Sequence, residues 1–303
     1  MRGKARTGFT LVELLVVIVV IAMLVALTVP AILSARARAR QTTCTDRLHN
    51  LANAIHEYEL AKDQLPGYVD SFGSVGNLSW VLMIAPYTEH TDVWRNVRQG
   101  NLPTPPDEYA VPELLCPVGE RTDSFCPLSY VVNCGIPDGT TFNVKGVPTN
   151  EGAQFALFFN HDTVNFPNQP STRIKVKLDK IPDGQQFTLL LGENLQATYF
   201  VPIDGAGALR PVREADVGML FTQTEGACGS TDGNVVAPNR CTTDLVPFPR
   251  DNPPVRYARP SSLHPGGFIV AYADGHAVFM GDDIDYLVYQ QQMIPDDVTA
   301  GIR

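Results

Sequence analysis

Cations are scarce in this sequence. Its 23 Lys and Arg stand against 32 Asp and Glu, a formal net charge of -9 over 303 residues, and no basic stripe follows Arg47. Phosphate backbones are met by clustered Lys and Arg, so no nucleic-acid partner is expected. Also missing is any Cys-x-x-Cys pair among the six cysteines, at positions 44, 116, 126, 134, 228 and 241. That spacing argues against a zinc ribbon or a thioredoxin-type centre. No internal repeat or low-complexity tract is visible, and no nucleophile-base pair stands in a motif context. Hydrophobic residues make up 44% of the chain and charged ones 18%, enough for one medium-sized domain with a sizeable core plus an N-terminal helix.

Long apolar runs are absent too, with one exception. Residues 1–8 carry three cations and no acid, and residues 9–29 are then apolar except for Thr10, Glu13 and Thr28. At about 1.5 Å per residue this run is long enough to cross a bilayer. It is too long for a secretory apolar core, and the nearest A-x-A match, Ala35-Arg36-Ala37, has a cation inside it. Arg36, Arg38 and Arg40 follow the run almost as closely as Arg2, Lys4 and Arg6 precede it, so the positive-inside rule leaves the orientation open. These arginines read as flanking residues that hold lipid headgroups.

Glu13 is the informative exception, because an ionisable side chain inside a span costs about 2.5 to 3.5 kcal/mol and demands a partner. The stretch Gly8-Phe9-Thr10-Leu11-Val12-Glu13 resembles the type IV prepilin signature. The resemblance implies that prepilin peptidase cuts between Gly8 and Phe9 on the cytoplasmic side and methylates the new amine of Phe9. Glu13 would then pair with the amine of a neighbouring pilin-like subunit, since a buried pair is tolerated where a lone charge is not. The implied location is the inner membrane, single-pass, with the N-terminus cytoplasmic and the head periplasmic or extracellular. Loss of residues 1–8 would take the net charge from -9 to -12. Pro30 closes the apolar run and is expected to kink or loosen the helix there.

Beyond Pro30, Cys44, Leu48, Leu51, Ile55 and Tyr58 recur at spacings of four and three, an apolar stripe on a helix running to about Lys62 and stopped by Leu65-Pro66-Gly67. From Phe9 such a helix would be about 80 Å long. His49 and His56 lie two turns apart, about 10.8 Å, too far to share a metal. The expected fold is α+β: a long N-terminal helix, its first half membrane-spanning, packed on an antiparallel sheet with long loops. The segments are a leader (1–8), a span (9–30), the periplasmic half of the spine (31–64) and a β-rich head (65–303). Residues 67–117 read as an insertion on the head, with 80–84 a short strand or helix and 103–106 a rigid loop. Strands are expected at 156–159, 174–178, 187–191 and 199–203, with two more near the C-terminus and an exposed connection at 247–254.

Those last two strands flank Asp274-Gly275, which suggests a hairpin with a type I' turn. His264 approaches the first of them through Pro265-Gly266-Gly267. Imidazole and carboxylate together can ligate zinc, so His264, Asp274, His276 and Glu193 form one candidate metal set. Asp282, Asp283 and Asp285 form a weaker one for calcium, without EF-hand spacing. Outside the cytoplasm the cysteines could form up to three disulfides. Cys228 with Cys241 is the easiest local pair, though many connectivities are possible and buried thiols are the alternative.

The His-x9-Asp-Gly spacing of His264, Asp274 and Gly275 belongs to a longer series of short matches. These include Leu115-Cys116-Pro117, Ser129-Tyr130, Asn133-Cys134-Gly135, Pro182-Asp183-Gly184 and Gly192-Glu193-Asn194. In this order, with the leader, they resemble a large bacterial family of pilin-like proteins whose head is a domain of unknown function. Thr45-Asp46-Arg47 departs from it, where Asn-rich residues are more usual. The resemblance implies architecture and location rather than a reaction. The expectation is a non-enzymatic pseudopilin or minor pilin without a cofactor, in a type II secretion or type IV pilus-like system. The alternative is an anchored, extracytoplasmic metal- or ligand-binding head, enzymatic or not.

Overall fold

The computed structural model describes residues 11–71, 77–99, 111–118, 126–137, 142–144, 147–149, 155–162, 174–197, 200–201, 212–227, 234–240 and 255–302. Gly8 and Phe9, Cys228 and Cys241, the 103–106 and 247–254 loops and most of 199–203 lie outside them. The chain divides into two compact units, Met1–Thr42 and Thr43–Arg303.

The first unit is helical throughout its described part, which belongs to α1 (Leu11–Lys62). Its apolar run is exposed all round, and it is long and apolar enough to cross a membrane. Glu13 sits in the first turn, on the exposed surface. The helix continues through Pro30, so the proline does not end it. Pro30 has no N–H to offer the carbonyl four residues back. Nearby, the Thr28 hydroxyl donates to the Leu24 carbonyl at 3.0 Å.

In the second unit the predicted stripe is the buried face of α1: Cys44, Leu48, Leu51, Ile55 and Tyr58 join one core with the head. After the helix come β1 (Val69–Ser71), β2 (Asn77–Ser79), α2 (Trp80–Ile84) and α3 (Thr91–Arg98). All five residues of α2 are buried, so this segment belongs to the core rather than to an appended insertion. The order continues with β3 (Tyr130–Gly135), β4 (Phe142–Val144), β5 (Val147–Thr149), β6 (Asn160–His161) and β7 (Leu189–Glu193). Then follow α4 (Glu214–Val217), β8 (Gly218–Leu220), β9 (Gly267–Tyr272), β10 (Ala277–Gly281), α5 (Tyr286–Met293) and α6 (Asp297–Ala300).

The main sheet has the order β10-β9-β7-β3-β8. It is antiparallel except for β3 with β8, which makes it mixed. Every residue of β3, β7 and β9 is buried, which is why these strands read as continuous apolar runs rather than alternating ones. α5 packs on β7 and reaches the strand ends through side chains: the Tyr289 hydroxyl donates to the Leu220 carbonyl at 2.8 Å. A smaller sheet, β2-β1-β6, pairs β1 with β6 in parallel.

Two expected strands are corrected. Residues 156–159 are buried but unpaired in any ladder; Leu157 and Phe158 donate instead to the Asn133 carbonyl, at an irregularity in β3. Gly135 occupies φ 71° there, and a side chain on it would strike the Phe155 carbonyl, so glycine is required for this close approach. Residues 174–178 are irregular and lead into a 3-10 turn at Leu178–Lys180, where Glu59 of α1 accepts the Leu178 N–H at 2.8 Å. In the first case apolar content reflected burial and not a strand; in the second an alternating run has only Leu178 buried and pairs with no strand.

Candidate functional site

Four side chains of metal-binding or redox type converge inside the second unit: Cys44 from α1, Cys116 after the 3-10 turn Pro112–Leu114, Glu193 at the end of β7 and His264 before β9. All are buried, and their ligand atoms lie within 4.8 Å of one another. The sulfurs of Cys44 and Cys116 are 2.6 Å apart. His264 Nε2 lies 3.5 Å from Cys116 Sγ and 3.4 Å from Glu193 Oε1.

The surrounding chain explains the convergence. The apolar stripe turns Cys44 inward, and Arg47, one turn further, donates to the Leu115 carbonyl next to Cys116. Ser129 holds the same segment through the Leu114 carbonyl at 2.8 Å. Glu193 Oε2 accepts the Ile269 N–H at 3.0 Å, bridging β7 to β9, while Oε1 has no hydrogen-bond partner among the described residues and faces the imidazole. The Ser262 hydroxyl accepts the His264 N–H at 3.1 Å.

The electrostatics follow from burial. Burial works against the charged imidazole of His264, but Cys116 and Glu193 outweigh it and lift its pKa to about 9. The hydrogen bond to Cys44, followed by burial, pushes the Cys116 thiol well above its ordinary value. Tyr130, beside Cys44, is likewise raised, mostly by burial. The site therefore favours a buried imidazolium at His264, facing Glu193, beside a Cys116 thiol that resists ionisation. Such a donor set has the composition of a zinc site and also that of a buried cystine.

The predicted metal set is divided by the structure. His264 and Glu193 join the two cysteines, whereas Asp274 and His276 pair with each other at the β9-β10 turn. The turn is not type I'. Tyr272 accepts the Gly275 N–H at 2.9 Å, Gly275 alone takes positive φ, at 90°, and Tyr272 N–H donates to His276. This is a type I turn followed by a glycine bulge. Asp274 keeps ordinary φ, and its carboxylate accepts the His276 N–H at 3.1 Å. The turn docks on α1: His49 Nδ1 meets the Gly275 carbonyl at 2.7 Å, and a Cβ on Gly275 would lie 3.5 Å from Asn53 and 3.7 Å from His56. His49 and His56 thus flank a loop rather than a metal. Asp285 caps α5 by accepting the Leu287 N–H at 2.8 Å, and Asp282, Asp283 and Asp285 form no convergent ligand set among the described residues.

A cleft of ≈ 670 Å³ opens beside α1, with Arg47, Glu57, Tyr87, His90 and Glu113 among its polar lining. His90 and Glu113 pair across it at 2.9 Å.

Comparison with known proteins follows the same division. Residues 3–29 match the prokaryotic N-terminal methylation motif, which together with the apolar helix marks a membrane-anchored, prepilin-like protein. Residues 33–287 match the family described as "Protein of unknown function (DUF1559)", and the chain belongs to that family. The competence protein ComGC of Halalkalibacterium halodurans is 29% identical over 87 residues, covering 29% of this chain and 76% of ComGC. No solved structure matches.

Proposed function

We propose that this protein is a pseudopilin or minor pilin: a non-enzymatic subunit cut by prepilin peptidase between Gly8 and Phe9, methylated at Phe9, and held in the inner membrane with its head outside the cytoplasm. The observation that carries the reading is the coincidence of the methylation motif with an apolar helix whose early acid is Glu13. In a packed bundle of such helices Glu13 finds the cationic amine of a neighbouring subunit, which offsets the cost of placing a carboxylate in hydrocarbon. Similarity to a competence protein supports assembly with other pilin-like subunits in a type II secretion or pilus-like system.

Cell fractionation with mechanical shear tests the assembly. A filament subunit leaves with the sheared material, and Glu13→Val keeps it in the membrane; a wild-type chain that never leaves the membrane contradicts assembly.

A second reading, an anchored ligand-binding head, is favoured by the cleft beside α1. Its size is that of a small-molecule site and its lining mixes apolar and charged groups. A thermal-shift screen of small anions and sugars, run on wild type and on an Arg47→Ala variant, checks it; a stabilising compound whose effect survives in Arg47→Ala does not bind there.

A further inference from the structure

We propose that Cys44 and Cys116 are joined by a disulfide in the mature protein, linking α1 to the segment after Pro112–Leu114; the proposal rests on the reading that the head is exported.

The two cysteines are 72 residues apart in sequence, yet each is fixed by its own surroundings. Cys44 lies on the buried stripe of α1, and Cys116 follows Leu115, whose carbonyl is held by Arg47, and Leu114, whose carbonyl is held by Ser129. The sulfurs are 2.6 Å apart, within about 0.6 Å of the length of a covalent S–S bond. Unbonded carbon atoms settle about 3.5 to 4.0 Å apart and sulfur is larger, so two separate thiols are a poor description of this contact.

A shared metal is also a poor description. Two thiolates each about 2.3 Å from a tetrahedral zinc stand about 3.8 Å apart, which these sulfurs do not. Of the other donors, Glu193 Oε2 is committed to the β9 backbone, while Glu193 Oε1 faces His264 Nε2 at 3.4 Å as an ion pair without a hydrogen bond. Cys126 and Cys134, also buried, are not members of the cluster, so neither competes for the pair.

Closure is a two-electron oxidation, and the oxidant required is a disulfide carrier of the extracytoplasmic space. One cysteine thiolate attacks a carrier sulfur, breaking the carrier's S–S bond and releasing one carrier thiolate. The second cysteine thiolate attacks the protein sulfur of that mixed disulfide, forming the Cys44–Cys116 bond and releasing the second carrier thiolate. Two protons leave the cysteines and the carrier ends as a dithiol. The exchange belongs to folding, before both sulfurs are buried and Cys116 becomes a poor thiolate.

The test uses the full chain in its own membrane. Cells are acid-quenched, free thiols are alkylated without reductant, and the digest is mapped by mass spectrometry; bound zinc is measured on the same preparation. In parallel, external protease is applied to intact spheroplasts to report where the head lies. A linked Cys44–Cys116 peptide that vanishes on reduction is expected, with the partner cysteine becoming alkylated in Cys44→Ala and in Cys116→Ala. Both cysteines alkylated in wild type, a bond from either to a different cysteine, or one zinc per chain with both thiols free overturns the disulfide. A head protected from protease overturns the topology, and the two failures are read from separate measurements.

Discussion

Gly275 shows how a backbone conformation can require one residue type. Its φ of 90° is one that a side chain adopts only at a cost, and its carbonyl docks on His49. Gly275→Ala should therefore lose about 1 to 2 kcal/mol, read as a lower urea midpoint with unchanged slope. His264 makes a different prediction. With Cys44 and Cys116 reduced, its folded pKa of about 9 lies above the unfolded value of about 6.5, so its contribution is fully present below pH 6.5 and is lost as pH rises through about 9. The melting temperature of the reduced protein should fall over that window, and His264→Gln should flatten the fall. Glu193, His264, Asp274 and Gly275 were all legible as motif residues. What the chain order could not show was grouping: Cys116 is remote from Cys44, and Cys44 was already explained by the helical stripe. The signal available was the match Leu115-Cys116-Pro117 taken together with a buried cysteine on the helix, in an expected oxidising compartment.

The elements that sequence periodicity resolved are those whose partners are local or whose pattern is amphipathic. The stripe from Cys44 to Tyr58 is buried as read, and the β9-β10 hairpin is where two apolar runs around Asp-Gly placed it. Ile55 is fully buried in that stripe, so Ile55→Ala should cost about 2 to 5 kcal/mol, measured by denaturant unfolding of the detergent-solubilised chain. Periodicity failed where a run finds no partner strand. Residues 156–159 are apolar because they are covered, and residues 174–178 alternate with only Leu178 buried; the backbone bonds of the first go to β3 and the Leu178 N–H goes to α1, instead of a ladder. Asn133 organises the first of these. Its amide donates to the Leu189 carbonyl at 2.7 Å and the Met293 carbonyl at 2.6 Å, and its Oδ1 accepts the Gly135 N–H. Asn133→Ala leaves buried carbonyls unmet and should destabilise by about 1 to 3 kcal/mol, visible as faster amide exchange in β3 and β7 as well as a lower urea midpoint.

At the scale of the whole molecule, the N-terminal methylation motif and the DUF1559 region divide the chain between an anchor and a head. The anchor's chemistry follows from few residues, because an apolar run with one early acid has few physical uses. The head carries a buried Cys44–Cys116–Glu193–His264 cluster and a charged cleft, and their roles depend on groups that only the fold assembles. The central claim is that this is a processed, pilin-like protein, and the most direct measurement is the mass of its N-terminal peptide in the membrane fraction. A chain beginning at N-methylated Phe9, lost when the peptidase is removed, is the predicted result. A mature pool that retains Met1 through Gly8 contradicts it.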